Sequence, residues 1–158
     1  MTVAAVIERD GKFLLVEEHT PEGLRLNNPA GHLDPGESLL QACVRETLEE
    51  TAFAFSPSAL VGVYMSRFQR GRAAEPEDAV QEEDITYLRF AFCGTLGAWD
   101  AARTLDTGIV RTLWLSPEEV RQSATRHRSP LLLQCMEDYL QGKRLPLDAV
   151  TTDPSVYR

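Results

Sequence analysis

The sequence predicts one mixed α+β domain of about six or more strands and three helices. Three features predict it: short apolar runs closed by turn residues, three amphipathic stretches that each begin at a serine, and no repeat or linker within 158 residues. A chain of that length fits one domain and can bury roughly 70% of the surface its unfolded form exposes.

The elements follow in order. "TVAAVI" and "KFLLVEE" flank Glu8-Arg9-Asp10-Gly11, and Asp-Gly between two apolar runs predicts a hairpin. Thr20 to Gly23 form a loop before "LRLNNPAG". The first helix opens at Ser38, with Gln41 completing a capping box. Leu40, Val44 and Leu48, with Thr47 beside them, predict its buried stripe. "LVGVYMSRF" and "ITYLRFAFCGTL" are strand-like. The polar Gln69–Asp84 stretch between them is long for a hairpin turn, a length usually functional or mobile. "IVRTLWL" predicts another strand. After it, Ser116 caps a helix with Pro117 at its first position and Glu119 in a second box. "SPLLLQCMEDYLQGKR" repeats the Ser-Pro start and ends near Gly142. The domain is expected to span residues 1–146, with 147–158 as a tail.

Composition narrows the function classes. Hydrophobic residues make up 43% and charged residues 25%, as in ordinary globular proteins. "TVAAVI" stops at charged residues and has no basic segment before it, so it reads as neither signal peptide nor membrane span. A cytoplasmic address and no membrane partner are expected. Cys43, Cys93 and Cys135 lie far apart without metal-site spacing and are expected to be buried, reduced thiols. His19, His32 and His127 form no zinc pattern either. A net charge of −8 argues against duplex nucleic acid, whose binding draws on Lys and Arg.

"GHLDPGESLLQACVRETLEETAF", Gly31 to Phe53, carries the chemistry. At 100° per residue, Glu49 and Glu50 fall about −60° and +40° from Glu46. All three share a face opposite the Leu40 stripe, which is expected to turn away from the core. Such faces are usually only solvated, but this one is unfavourable as it stands. Glu46 and Glu50 repel at i,i+4, and the acids crowd the half of the helix where the dipole disfavours negative charge. The arrangement asks for a cation. Oxygen donors without a Cys or His pattern suit Mg²⁺ or Mn²⁺ rather than zinc. Pro29, Gly31, Pro35 and Gly36 shape a tight loop that can bring backbone carbonyls and Glu37 to the same face.

The spacing Gly31, Glu37, Arg45-Glu46, Glu49-Glu50 resembles the Nudix box, G-x5-E-x7-R-E-U-x-E-E-x-G-U. Thr47 departs from an aliphatic position and Ala52 from a glycine. A left-handed Ala52 would cost about 1–2 kcal/mol. The resemblance implies an α/β/α sandwich with a mixed sheet, and hydrolysis of a diphosphate linked to another moiety. It implies Mg²⁺, with Mn²⁺ able to substitute, and a small phosphate-ester substrate. By position, Glu46, Glu49, Arg45 and Glu37 look catalytic, and the Ala30 carbonyl, Glu46, Glu49 and Glu50 look like metal ligands. The general base is either Glu46 or an acid of Glu82-Glu83-Asp84, a triad equally readable as solvation. Arg25, Arg89 and Glu83 are candidate substrate contacts, with salt bridges the alternative for either arginine.

"NNPAGHLDPGE", "YLRFAF", "WLSPEEV" and "RSPLLLQCMEDYLQGKRLPLD" resemble the small bacterial Nudix phosphatases. That group acts on nucleoside tri- and diphosphates and on the pyrimidine diphosphate of thiamine biosynthesis, releasing orthophosphate. Two alternatives stay open: a dinucleotide, ADP-ribose or nucleotide-sugar pyrophosphatase, and a non-catalytic ligand-binding module. Monomer and homodimer are both compatible with the sequence.

Overall fold

The computed structural model describes residues 1–70 and 83–158. Its strands are β1 (Thr2–Val6), β2 (Glu8–Arg9), β3 (Lys12–Thr20), β4 (Gly23–Asn27), β5 (Ala30–His32), β6 (Phe53–Arg70), β7 (Glu83–Trp99) and β8 (Ile109–Leu115). Its α-helices are α1 (Leu39–Thr51), α2 (Pro117–Gln122) and α3 (Leu131–Leu140).

Asp10 and Gly11 both take positive φ, 52° and 75°, the backbone that a tight two-residue hairpin turn requires. The hairpin is shorter than the sequence predicts. Only β2 folds back on β3, through Glu8↔Phe13 and Arg9↔Lys12, whereas β1 joins another sheet. β1 is buried on every residue, so it needs cover on both faces and cannot lie in a two-stranded ribbon.

One sheet has the order β5-β1-β7-β6. β1 runs parallel to β7 and antiparallel to β5, and β6 is antiparallel to β7. In the second sheet β3 pairs antiparallel with β2, β4 and β8. Period-two alternation divides the core between the two faces. Val3, Ala5 and Ile7 pack with Leu14, Phe92 and the α1 residues Ala42 and Cys43. Ala4 and Val6 pack with Phe13, Leu15 and the α2 and α3 residues Val120, Leu132, Cys135 and Met136. Helices therefore cover both sides, the α/β/α layering that the box implies. All three cysteines are free and buried.

Both predicted capping boxes are present, at Ser38/Gln41 and Ser116/Glu119. α3 starts differently, with Pro130 in helical geometry and the Ser129 hydroxyl accepting from the Leu131 N–H. The β6–β7 ladder runs into the polar stretch, since Gln69↔Asp84 and Arg70↔Glu83 are still paired. After α3 the chain crosses the edge of β6, where Leu145 and Leu60 exchange backbone hydrogen bonds of 2.9 and 2.7 Å. Leu147 and Val150 then pack on the α1-side cluster.

Candidate active site

α1 does not turn its acids outward. Its buried residues are Ala42, Cys43, Glu46, Thr47, Glu50 and Thr51. At 100° per residue these span about −40° to +140° relative to Glu46, so Glu46 and Glu50 lie within the buried arc. Leu40 lies at the edge of that arc and Val44 and Leu48 just outside it, and all three are only half-buried. The expected stripe is corrected on this point: the helix packs its acidic side against β5.

Close approach at β5 depends on glycine. A Cβ on Gly31 would stand 2.0–2.3 Å from the Glu46 carboxyl atoms, so the carboxylate occupies the space a side chain would fill. Thr47, fully buried, satisfies its hydroxyl by donating to the Cys43 carbonyl at 2.8 Å. That bond explains how a polar residue is accommodated where the box has an aliphatic one.

Arg45 gathers the acids. Its Nε and Nη2 donate to the two oxygens of Glu37 at 3.0 and 2.7 Å. Nη1 donates to Glu46 at 2.8 Å and Glu49 at 3.0 Å, while Nη2 also reaches the His32 carbonyl at 2.9 Å. Glu37 further accepts from the Asp34 N–H at 2.8 Å. The guanidinium holds the Glu37 carboxyl below the ordinary glutamate range, and Arg45 itself is pushed up by Glu37 and Glu46.

Glu46 and Glu50 shift the other way. Burial raises Glu46, opposed by Arg45 and reinforced by Glu49 and Asp106. Burial pushes Glu50 up to about 8, with Glu18, Glu46 and Asp106 adding repulsion against one hydrogen bond from the Ala30 N–H at 3.0 Å. The structure therefore brings Glu37, Arg45, Glu46, Glu49, Glu50 and Ala30 together.

It also adds Asp106, which the sequence reading missed. Carboxylate oxygens of Glu46, Glu49 and Asp106 lie within 4.8 Å of one another. The Asp106 N–H donates to the Glu49 carbonyl at 3.0 Å, pinning the β7–β8 loop to the end of α1. Nothing in the spacing of "TLDTGI" marks this aspartate, because only the fold carries it to the helix. Arg45 is ion-paired to Asp34, Glu37, Glu46 and Glu49, with Glu50 and Asp106 beside them, and all the donors are oxygen. That set fits a hard divalent cation.

A cavity of about 710 Å³ opens over Glu46, Glu50 and Gly31, within the range of small-molecule sites. Arg89 lines it and is 7% exposed. Its terminal nitrogens face Asn28 and Asn27, each at 3.4 Å, and its Nε has no hydrogen-bond partner among the described residues. Arg25 does not line this cavity, and its Nη1 donates to the Leu24 carbonyl at 3.0 Å. Asp84 is paired with Arg67. Glu82 and the Glu83 side chain lie outside the described residues.

Comparison with known proteins agrees with this geometry. Residues 1–135 match the NUDIX domain model. The chain is 32% identical over 150 residues to phosphatase NudJ of Escherichia coli strain K12, covering 95% of this chain and 89% of that protein. A NUDIX hydrolase from Nitrosomonas europaea superposes with a TM-score of 0.81 at 50% identity, covering 96% and 95% of the two chains. A MutT NUDIX hydrolase from Burkholderia pseudomallei matches at a TM-score of 0.62 and 20% identity, over 87% and 95% of the chains, a likeness of fold alone. With its box assembled around one arginine, the chain belongs to the Nudix family and is a hydrolase of phosphoric anhydride bonds.

Proposed function

We propose that this protein is a Mg²⁺-dependent phosphatase that releases orthophosphate stepwise from nucleoside tri- and diphosphates, with Mn²⁺ able to substitute. The pyrimidine diphosphate of thiamine biosynthesis is a further substrate of the same reading. The observation that carries it is the Glu46, Glu49 and Asp106 cluster, of which Glu46 also lines the cavity, supported by the 32% identity to a phosphatase over most of the chain.

Glu46, Glu49, Glu50 and Asp106, with the Ala30 carbonyl, would hold divalent cations. Such ions acidify water and neutralise phosphate oxygens. Arg45 keeps Glu37, Glu46 and Glu49 in one arrangement, so the acids need not reorganise as charge moves. Glu46 is the base, because its carboxyl lines the cavity and is held in place by Arg45 at 2.8 Å. The substrate's terminal phosphorus lies over the acidic end, and its organic part extends along the cavity.

Chromatography of the products from a nucleoside triphosphate tests this reading. Diphosphate and orthophosphate are expected first, then monophosphate. Monophosphate with pyrophosphate, and no diphosphate, would make the protein a pyrophosphatase instead.

A further inference from the structure

Neither arginine expected from the sequence to contact phosphate is placed to do so. Arg25 lies off the cavity, and Arg89 is buried among Asn27, Asn28 and the Cys135 thiol. Two further arginines line the cavity, Arg67 and Arg128. Arg67 is committed to Asp84, which accepts from both its Nε and its Nη2. Arg128 is half-exposed, and its one ion pair among the described residues runs from Nη1 to Glu18 at 2.8 Å. A guanidinium carries five N–H donors in a fixed plane, so that pair leaves most of them for a ligand.

The segment that carries Arg128 is fastened to β3 and β4. Arg126 pairs with the buried Glu17, His127 bridges to Leu26, and the Arg128 N–H donates to the Leu26 carbonyl at 2.9 Å. Charge on this wall does not balance. Arg128 and the buried Arg89 repel each other, and burial together with that repulsion holds Arg89 below the ordinary guanidinium range. Among the described residues, Glu18 is the one carboxylate ion-paired to either of them. Two guanidiniums against one paired acid leave this wall of the cavity cationic, which is unfavourable until an anion lies against it.

We propose that Arg128 is the arginine that holds the substrate's phosphate chain: it keeps Glu18 with Nη1 and donates from its remaining N–H groups to the phosphate next to the one under attack. The inference rests on the phosphatase reading for which phosphate lies over the acids. Charge-assisted hydrogen bonds of this kind are strong and directional, so they set the course of the chain along the cavity. The terminal phosphorus is thereby aimed at Glu46.

The test is calorimetric titration with methylenediphosphonate, a diphosphate mimic without an organic part, in saturating Mg²⁺. The unmodified protein, Arg128→Gln and Glu18→Gln are compared. An ion pair that only supports the fold is broken equally from either end, whereas a phosphate contact splits the two variants. Arg128→Gln should weaken the probe about tenfold or more, as for a lost hydrogen bond from a charged donor. Glu18→Gln keeps the cation and frees it, and should bind at least as tightly as the unmodified protein. Arg128→Gln leaves the buried Glu18 unpaired; if it does not fold, the double variant is measured against Glu18→Gln alone. Unchanged affinity on loss of Arg128, equal weakening in both single variants, or no saturable binding by the unmodified protein overturns the proposal. Product chromatography is scored separately: pyrophosphate release from a triphosphate, with the variants still split, removes the phosphatase reading and leaves Arg128 as a phosphate contact.

Discussion

Gly31 shows how one residue sets the chemistry. The atoms an added Cβ would strike belong to the far end of the flexible Glu46 side chain, so Gly31→Ala can be accommodated by swinging the carboxylate aside. The fold should survive while the acid is displaced. A misplacement of about 1 Å can cost around a hundredfold in rate, and kcat/KM of Gly31→Ala should fall by that order with the melting midpoint nearly unchanged. Full activity in this variant would mean that the position of Glu46 over β5 does not matter. At this scale the sequence was informative about Glu37, Arg45, Glu46, Glu49 and Glu50, whose spacing is local to one loop and helix. It was silent on Asp106, which reaches them only through the path of the β7–β8 loop.

Among the elements, α1 is read correctly at its N-terminal cap and wrongly around its circumference. The Ser38 box is a contact within four residues, and local contacts are legible. Its buried face is not, because the Leu40, Val44 and Leu48 pattern assumes that acids seek water, whereas β5 brings Gly31 against them. β1 misleads for a similar reason: an apolar run and a turn signal predict a hairpin, but a strand buried on both faces leaves its hairpin neighbour for the centre of a sheet. At the C-terminal end of α1, Ala52 adopts φ 62° and is buried, the left-handed geometry that the family's glycine would take without strain. Relief of about 1–2 kcal/mol is partly offset by the extra freedom of glycine in the unfolded chain. Ala52→Gly should therefore stabilise by roughly 0.5–1 kcal/mol, raising the midpoint about 1–4 °C for a chain of this size. A lower midpoint in thermal scans would show that packing of the Ala52 methyl outweighs the backbone strain.

For the molecule as a whole, the site is a standing electrostatic strain that a bound cation would relieve. Folding raises the Glu50 pKa from near 4.5 to about 8. The metal-free folded chain therefore holds a proton there that the unfolded chain has lost, and its stability falls as pH rises through that window. Above it, the carboxylate is ionised and competes better for metal. The α/β/α layers serve this end by fixing β5, α1 and the β7–β8 loop against one another, so that the acids cannot drift apart.

Binding of Mn²⁺ to chelator-stripped protein, followed by electron paramagnetic resonance at pH 6 and pH 8, tests this most directly. The account predicts saturable binding that is tighter at pH 8, and at least tenfold weaker in Glu49→Gln, which removes one of the three clustered carboxylates. Equal binding by Glu49→Gln and the unmodified protein, or no saturable binding at either pH, would contradict it and leave the crowded glutamates as a charged face with no cation to hold.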